Sequence, residues 1–93
     1  MIYYFTASRI SDEGNAVFPD EIIIDDQSVT YRKKKVIGSK ETKVNFDAIG
    51  SVSVERHILF ADIVIETRGG LRICAKGFSK SDAEKISRLL NRY

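Results

Sequence analysis

Through most of the chain apolar and polar residues alternate with a period of two, and only at the end does the period lengthen to that of a helix. Glu41 to Phe46 shows the alternation most cleanly, with Thr42, Val44 and Phe46 on one side and Lys43 and Asn45 on the other. Ser28 to Lys35 separates Val29 and Tyr31 from Thr30, Arg32 and Lys34 in the same way. Ser51 to Arg56 sets Val52 and Val54 towards a core, and Ala61 to Thr67 does so with Ala61, Ile63 and Ile65. Leu71, Ile73 and Ala75 continue that buried face, with Arg72, Cys74 and Lys76 opposite. Ile2 to Thr6 is aromatic and β-prone, a candidate first strand. The run Ile22-Ile23-Ile24, inside Glu21 to Asp25, predicts burial on both faces or a strand crossing the core.

Turn chemistry separates these segments. Ser11 to Asn15 is a polar turn cluster, and Pro19 stands just before the second strand, where its missing N–H does least harm. Asp26-Gln27 and Gly38-Ser39 mark tight turns, and Asp47 to Gly50 a short corner. Gly69-Gly70 predicts a two-residue hairpin turn with positive φ at both glycines. Gly77-Phe78 is expected to end the sheet. Beyond it Ala83, Ile86, Leu89, Leu90 and Tyr93 recur at helical spacing, with Lys80, Lys85, Arg88 and Arg92 on the other side. Two N-caps compete for this helix, Ser81 with Glu84 three residues on, and Ser79 with Asp82.

Short strands at intervals of about 8–12 residues followed by one helix predict a small barrel or sandwich with a helical cap. The 93 residues form one domain, 1–93, with strands within about 2–76 and the helix over about 79–92.

Composition narrows function mainly by exclusion. With 43% hydrophobic and 30% charged residues the chain is an ordinary globular one, and a formal net charge of +2 supplies no field for strong nucleic-acid or membrane binding. No apolar run reaches the roughly 20 residues that span a bilayer. Met1 to Phe5 is too short, and lacks the basic flank, to be a secretory signal. A single cysteine, Cys74, rules out an intrachain disulfide, and a cytoplasmic setting is the expectation.

Charge is local. Arg32, Lys33, Lys34 and Lys35 form the sharpest basic run, and on a strand only alternate members share a face; Lys40 and Lys43 on the returning strand widen the patch. Such a row is either an anion-binding site for a lipid headgroup or phosphate, nucleic acid or an acidic protein tail, or a solvated edge whose lysines deter sheet-to-sheet pairing. His57 has no sequence neighbours that complete a catalytic or metal constellation and reads as a loop histidine. Cys74, between Arg72 and Lys76, reads as a semi-buried structural thiol, although those cations favour a thiolate. The acids Asp20, Glu21, Asp25 and Asp26 lack the spacing of a calcium loop and read as turn chemistry. Gly69-Gly70, flanked by Arg68 and Arg72, is either a phosphate cradle or simply a turn. Tyr3, Tyr4 and Phe5 either form an exposed aromatic patch or pair with the core sheet.

Gly14 to Pro19, Ile22 to Asp25, Ile49 to Val52, Leu59 to Asp62, Gly69-Gly70 and above all Ala75-Lys76-Gly77-Phe78-Ser79-Lys80-Ser81-Asp82-Ala83 together resemble the small bacterial pleckstrin-homology-like (PH-like) domains, over about residues 14–92. The resemblance implies a mainly β fold with one C-terminal α-helix (α+β), two roughly orthogonal antiparallel sheets forming a PH-like barrel capped by the helix. About activity the resemblance implies little, since PH-like domains bind phosphoinositides, peptides or proteins, or simply scaffold. With no acid–base pair in view, the expectation is a non-enzymatic module without a cofactor or metal. It would bind a protein partner or copies of itself, with an anionic lipid or phosphate at the basic hairpin as the alternative. Nucleic acid is disfavoured.

Overall fold

The structure, a computed structural model, describes residues 1–7, 19–34 and 38–91. The polar cluster Ser11 to Asn15, Lys35, Arg92, Tyr93 and the Gly14 to Phe18 part of the family resemblance lie outside the described residues.

Among the described residues seven strands precede one helix: β1 (Tyr3–Thr6), β2 (Glu21–Ile24), β3 (Ser28–Lys34), β4 (Ser39–Asn45), β5 (Ile49–Arg56), β6 (Phe60–Thr67), β7 (Arg72–Ser79) and α1 (Lys80–Leu90). They form two antiparallel sheets, a four-stranded one ordered β1-β2-β3-β4 and a three-stranded one ordered β5-β6-β7. A 3-10 turn, Phe46–Ala48, carries the chain from one sheet to the other where the Asp47 to Gly50 corner is expected. Backbone bonds fasten that corner, from Phe46 N–H to Gln27 O and from Arg68 N–H to Ala48 O, each 2.9 Å.

The alternation places the core. Phe5, Ile22, Ile24, Val29 and Val44 from the first sheet meet Ala61, Ile63, Ile65, Ile73, Ala75 and Phe78 from the second, and α1 adds Ala83, Ile86 and Leu90. The helix packs on β5, β6 and β7. The Ile22-Ile23-Ile24 run is buried on one face only: Ile22 and Ile24 are buried, and Ile23 is half exposed because β2 is a sheet strand with an outer side.

Two β-bulges explain what simple alternation misses. In β7 one extra residue lies between the pairs Ile63↔Ala75 and Ala61↔Phe78, and Gly77 takes φ +84° there. The bulge turns both Ala75 and Phe78 inward although they are three apart, and the strand runs on to Ser79 instead of ending at Gly77-Phe78. In β5 the shift lies between Ile49 and Ser51. A Cβ on Gly50 would stand 3.1 Å from the Glu66 carbonyl oxygen, so glycine lets the two backbones close up.

Two turn expectations need correction. Of the Gly69-Gly70 pair only Gly70 (φ +94°) adopts positive φ, and the β6–β7 link is a three-residue turn, Arg68-Gly69-Gly70, closed by Gly70 N–H to Thr67 O (3.1 Å) and Thr67 N–H to Leu71 O (2.9 Å). The added length puts Leu71 in the loop mouth, 49% exposed, rather than on the buried face. At the helix start Ser79, not Ser81, is the N-cap: its Oγ accepts the Asp82 N–H at 3.2 Å. Asn91 closes the other end, its N–H reaching Ser87 O.

Candidate functional site

The basic hairpin is the place to begin, and register divides it. Arg32 stands between Glu21 on β2 and Glu41 on β4. Its Nε donates to Glu41 Oε1 at 2.9 Å, and its Nη1 lies 3.3 Å from Glu21 Oε1. The hydrogen bond and charge of Glu41, then the charge of Glu21, hold the guanidinium above its ordinary pKa. Arg32 is therefore an interstrand tie on the outer face. Lys43, opposite Thr30, is exposed on that same outer face.

Lys33 and Lys40 occupy the other face, as direct partners across β3 and β4. Like charges so placed repel, and among the described residues neither has an acidic partner within ion-pair distance. The strand pairing thus brings two of the six predicted cations together and sets Arg32 and Lys43 apart from them. Lys34 lies on β3 opposite Ser39, and Lys35 is outside the described residues.

Below the two lysines a cleft of about 190 Å³ opens where this end of the first sheet meets the start of β7. Tyr31, Thr42, Ile73 and Cys74 line it, and Leu71 and Arg72 stand at its rim with the lysines. The Tyr31 hydroxyl donates to Oδ2 of buried Asp20 at 2.7 Å. Burial first, and then that hydrogen bond and charge, push the phenol far above its ordinary range, so it keeps its proton. Its donor is spent on Asp20, whose other oxygen, Oδ1, is buried without a hydrogen-bond partner among the described residues. Cations at the rim, and not the phenol, are what the cleft offers an anion.

Cys74 is half-buried, and desolvation, followed by the charge of Asp62, raises its thiol pKa. The flanking Lys76 and Arg72 lower it by less, so the cleft presents a protonated thiol and no ready nucleophile. The Asp20, Glu21, Asp25 and Asp26 group disperses: Asp20 behind Tyr31, Glu21 beside Arg32, and Asp25 in the turn, accepting from Gln27 N–H (2.8 Å) and Ser28 N–H (2.7 Å). At the N-terminus the aromatic stretch pairs with the sheet. Phe5 is buried, Tyr3 stacks on it with ring centroids 6.5 Å apart, and Lys85 Nζ lies 5.2 Å from the Tyr3 ring.

The chain was compared with models of protein families. The model of the bacterial PH domain covers residues 1–92. The chain belongs to the bacterial PH-domain family. Two antiparallel sheets and a C-terminal helix agree with the match, and a PH-like domain commonly serves as a module for protein or lipid interactions. A comparison with curated proteins gives no match. Among the described residues no helix of this PH domain is long and apolar enough to cross a membrane.

Three contributors were not legible in sequence. Leu71 and Arg72 join the rim only because the β6–β7 turn comes up beside β3 and β4, a neighbour relation between sheets that no local spacing encodes. Asp62, on the central strand of the second sheet, is 4% exposed. Its Oδ2 lies 3.0 Å from His57 Nε2 and its Oδ1 accepts the Gly77 N–H at 3.1 Å, so His57 has a partner that the hairpin brings round to it. An acid interrupting the Ala61–Ile65 apolar strand was the available signal.

Proposed function

We propose that this PH domain is a non-enzymatic interaction module that receives an acidic segment of a protein partner at the Lys33–Lys40 cleft. One observation carries the reading: two lysines face each other in register, without carboxylate partners among the described residues, at the mouth of a cleft that Arg72 also rims. Such a pair is destabilising in the empty protein and becomes favourable when a carboxylate or phosphate lies between the ammonium groups. At about 190 Å³ the cleft is smaller than the roughly 300–1,000 Å³ that enclose a drug-sized ligand. It suits the charged end of something larger. Among the described residues strand β4 is an edge strand of the first sheet, and an extended segment added beside it would carry alternate acidic side chains past Lys40.

A second reading, the phosphate of an anionic lipid headgroup, is favoured by Leu71, which is half exposed next to Arg72 and offers an apolar contact beside the cations. Glutamate-rich peptides and vesicles containing an anionic phospholipid, each at low and high salt, separate the two. We expect the wild-type chain to bind the peptide, more weakly at high salt, and Lys33→Glu with Lys40→Glu to abolish binding. Vesicle binding without peptide binding moves the function to the lipid reading. Binding of neither, or unchanged binding by the double variant, removes the cleft from the function.

A further inference from the structure

We propose that Glu55, His57 and Asp62 form a binding site for a divalent transition-metal ion of the zinc class. None of the three lines the cleft. Their donor atoms, one per residue, already lie within 4.8 Å of one another. The positions follow from the hairpin. Glu55 and Asp62 are direct partners across β5 and β6, which sets two carboxylates side by side, and His57 enters the β5–β6 connection two residues on, its N–H bonded to Phe60 O at 2.8 Å.

The spacing suits an ion. Imidazole and carboxylate donors bind zinc at about 2.0–2.2 Å, so two donors at right angles about one ion stand roughly 3.0 Å apart, and at a tetrahedral angle roughly 3.4 Å. His57 Nε2 and Asp62 Oδ2 stand at 3.0 Å. Glu55 is exposed and completes the set by rotating its own side chain. Asp62 is the anchor. Its carboxylate is buried, and the Gly77 N–H, delivered by the β7 bulge, fixes its orientation as an outer-shell hydrogen bond fixes a metal ligand.

One nitrogen and two carboxylates favour a zinc-like cation over Mg²⁺ or Ca²⁺, which prefer all-oxygen shells. Three protein ligands leave a fourth position for water or a partner's side chain. The alternative is a plain His57–Asp62 hydrogen bond that pins the hairpin without binding any ion.

Calorimetric titration of the chelator-stripped chain with ZnCl₂ decides between them. We expect one zinc per chain, no comparable heat from MgCl₂, and amide shifts in ¹⁵N spectra centred on residues 55–62. His57→Gln and Glu55→Gln change exposed side chains and should fold normally, yet each should weaken zinc binding by about tenfold or more. Cys74→Ser should bind as the wild type does. A wild-type chain that takes up no zinc, a His57→Gln chain that binds as tightly, or binding lost in Cys74→Ser alone would each overturn the site.

Discussion

Asp25 shows how much one side chain can settle locally. Its carboxylate accepts from two backbone N–H groups and from Ser28 Oγ, and the Gln27 N–H, followed by the Ser28 hydroxyl, holds its pKa below the ordinary 3.8. A depressed carboxylate stabilises the fold above its unfolded pKa, and the contribution is lost as pH falls through the folded one. In urea titrations, then, Asp25→Asn should lie closest to the wild type below about pH 4 and fall further behind it as pH rises through that range. A gap that is constant across this window would show that Asp25 acts through shape alone. The helix cap is a second residue-scale choice. Ser79 and Ser81 both precede an acid by three, so sequence offers two equal starts, and pairing of Ser79 with Phe60 decides between them by holding Ser79 extended. Ser79→Ala should cost about 1 kcal/mol in chemical unfolding, and Ser81→Ala within about 0.5 kcal/mol of nothing.

At the level of elements, the period of two located most strands, because a sheet face that must be dry leaves that pattern wherever the other face is wet. It failed at β7 for a physical reason: counting by twos from Ile73 and Ala75 points Gly77 inward and Phe78 out, and only the bulge reverses this. The glycine was visible, but its effect on phase was not. The buried face of helix α1 was legible, since Ala83, Ile86 and Leu90 are buried in the core as their spacing requires, whereas its start was left open between two caps. Its docking is a large share of a modest total. Ile86→Ala should cost about 2–5 kcal/mol against a total stability of roughly 5–15 kcal/mol. Removing Asp82 onward should leave an aggregating or unfolded chain. A truncated chain with a cooperative melt near the full-length value would contradict the helix's role. The Arg56–Glu84 contact, 3.4 Å between exposed side chains, adds little to that docking.

For the molecule as a whole, the cleft was the least legible part, because it depends on which strand faces which. The faces of Arg32 and Lys33 could be read from the chain, whereas the Glu21–Arg32–Glu41 tie and the Lys33–Lys40 opposition needed the register. That opposition carries a cost which the anion of the proposed function would offset, so on that reading function and stability should trade against each other. Lys40→Glu replaces a like pair by an opposite one and should raise stability by about 0.2–1 kcal/mol in thermal or urea melts while weakening anion binding. The gain should shrink as salt is added. A variant both less stable and still able to bind would mean that the two ammonium groups do not confront each other.

Strand β7 begins at the rim of the cleft and delivers the chain into α1 at its far end. Eight extended residues separate the two by roughly 26 Å. The other end of the helix comes back beside Tyr3, Ile24 and Phe46, near the turns that join β2 to β3 and β4 to β5. The body therefore has one shut pole and one gaping pole. A fluorophore or neighbouring module fused after the last turn of α1 would report on, or be carried by, this domain without standing in the doorway.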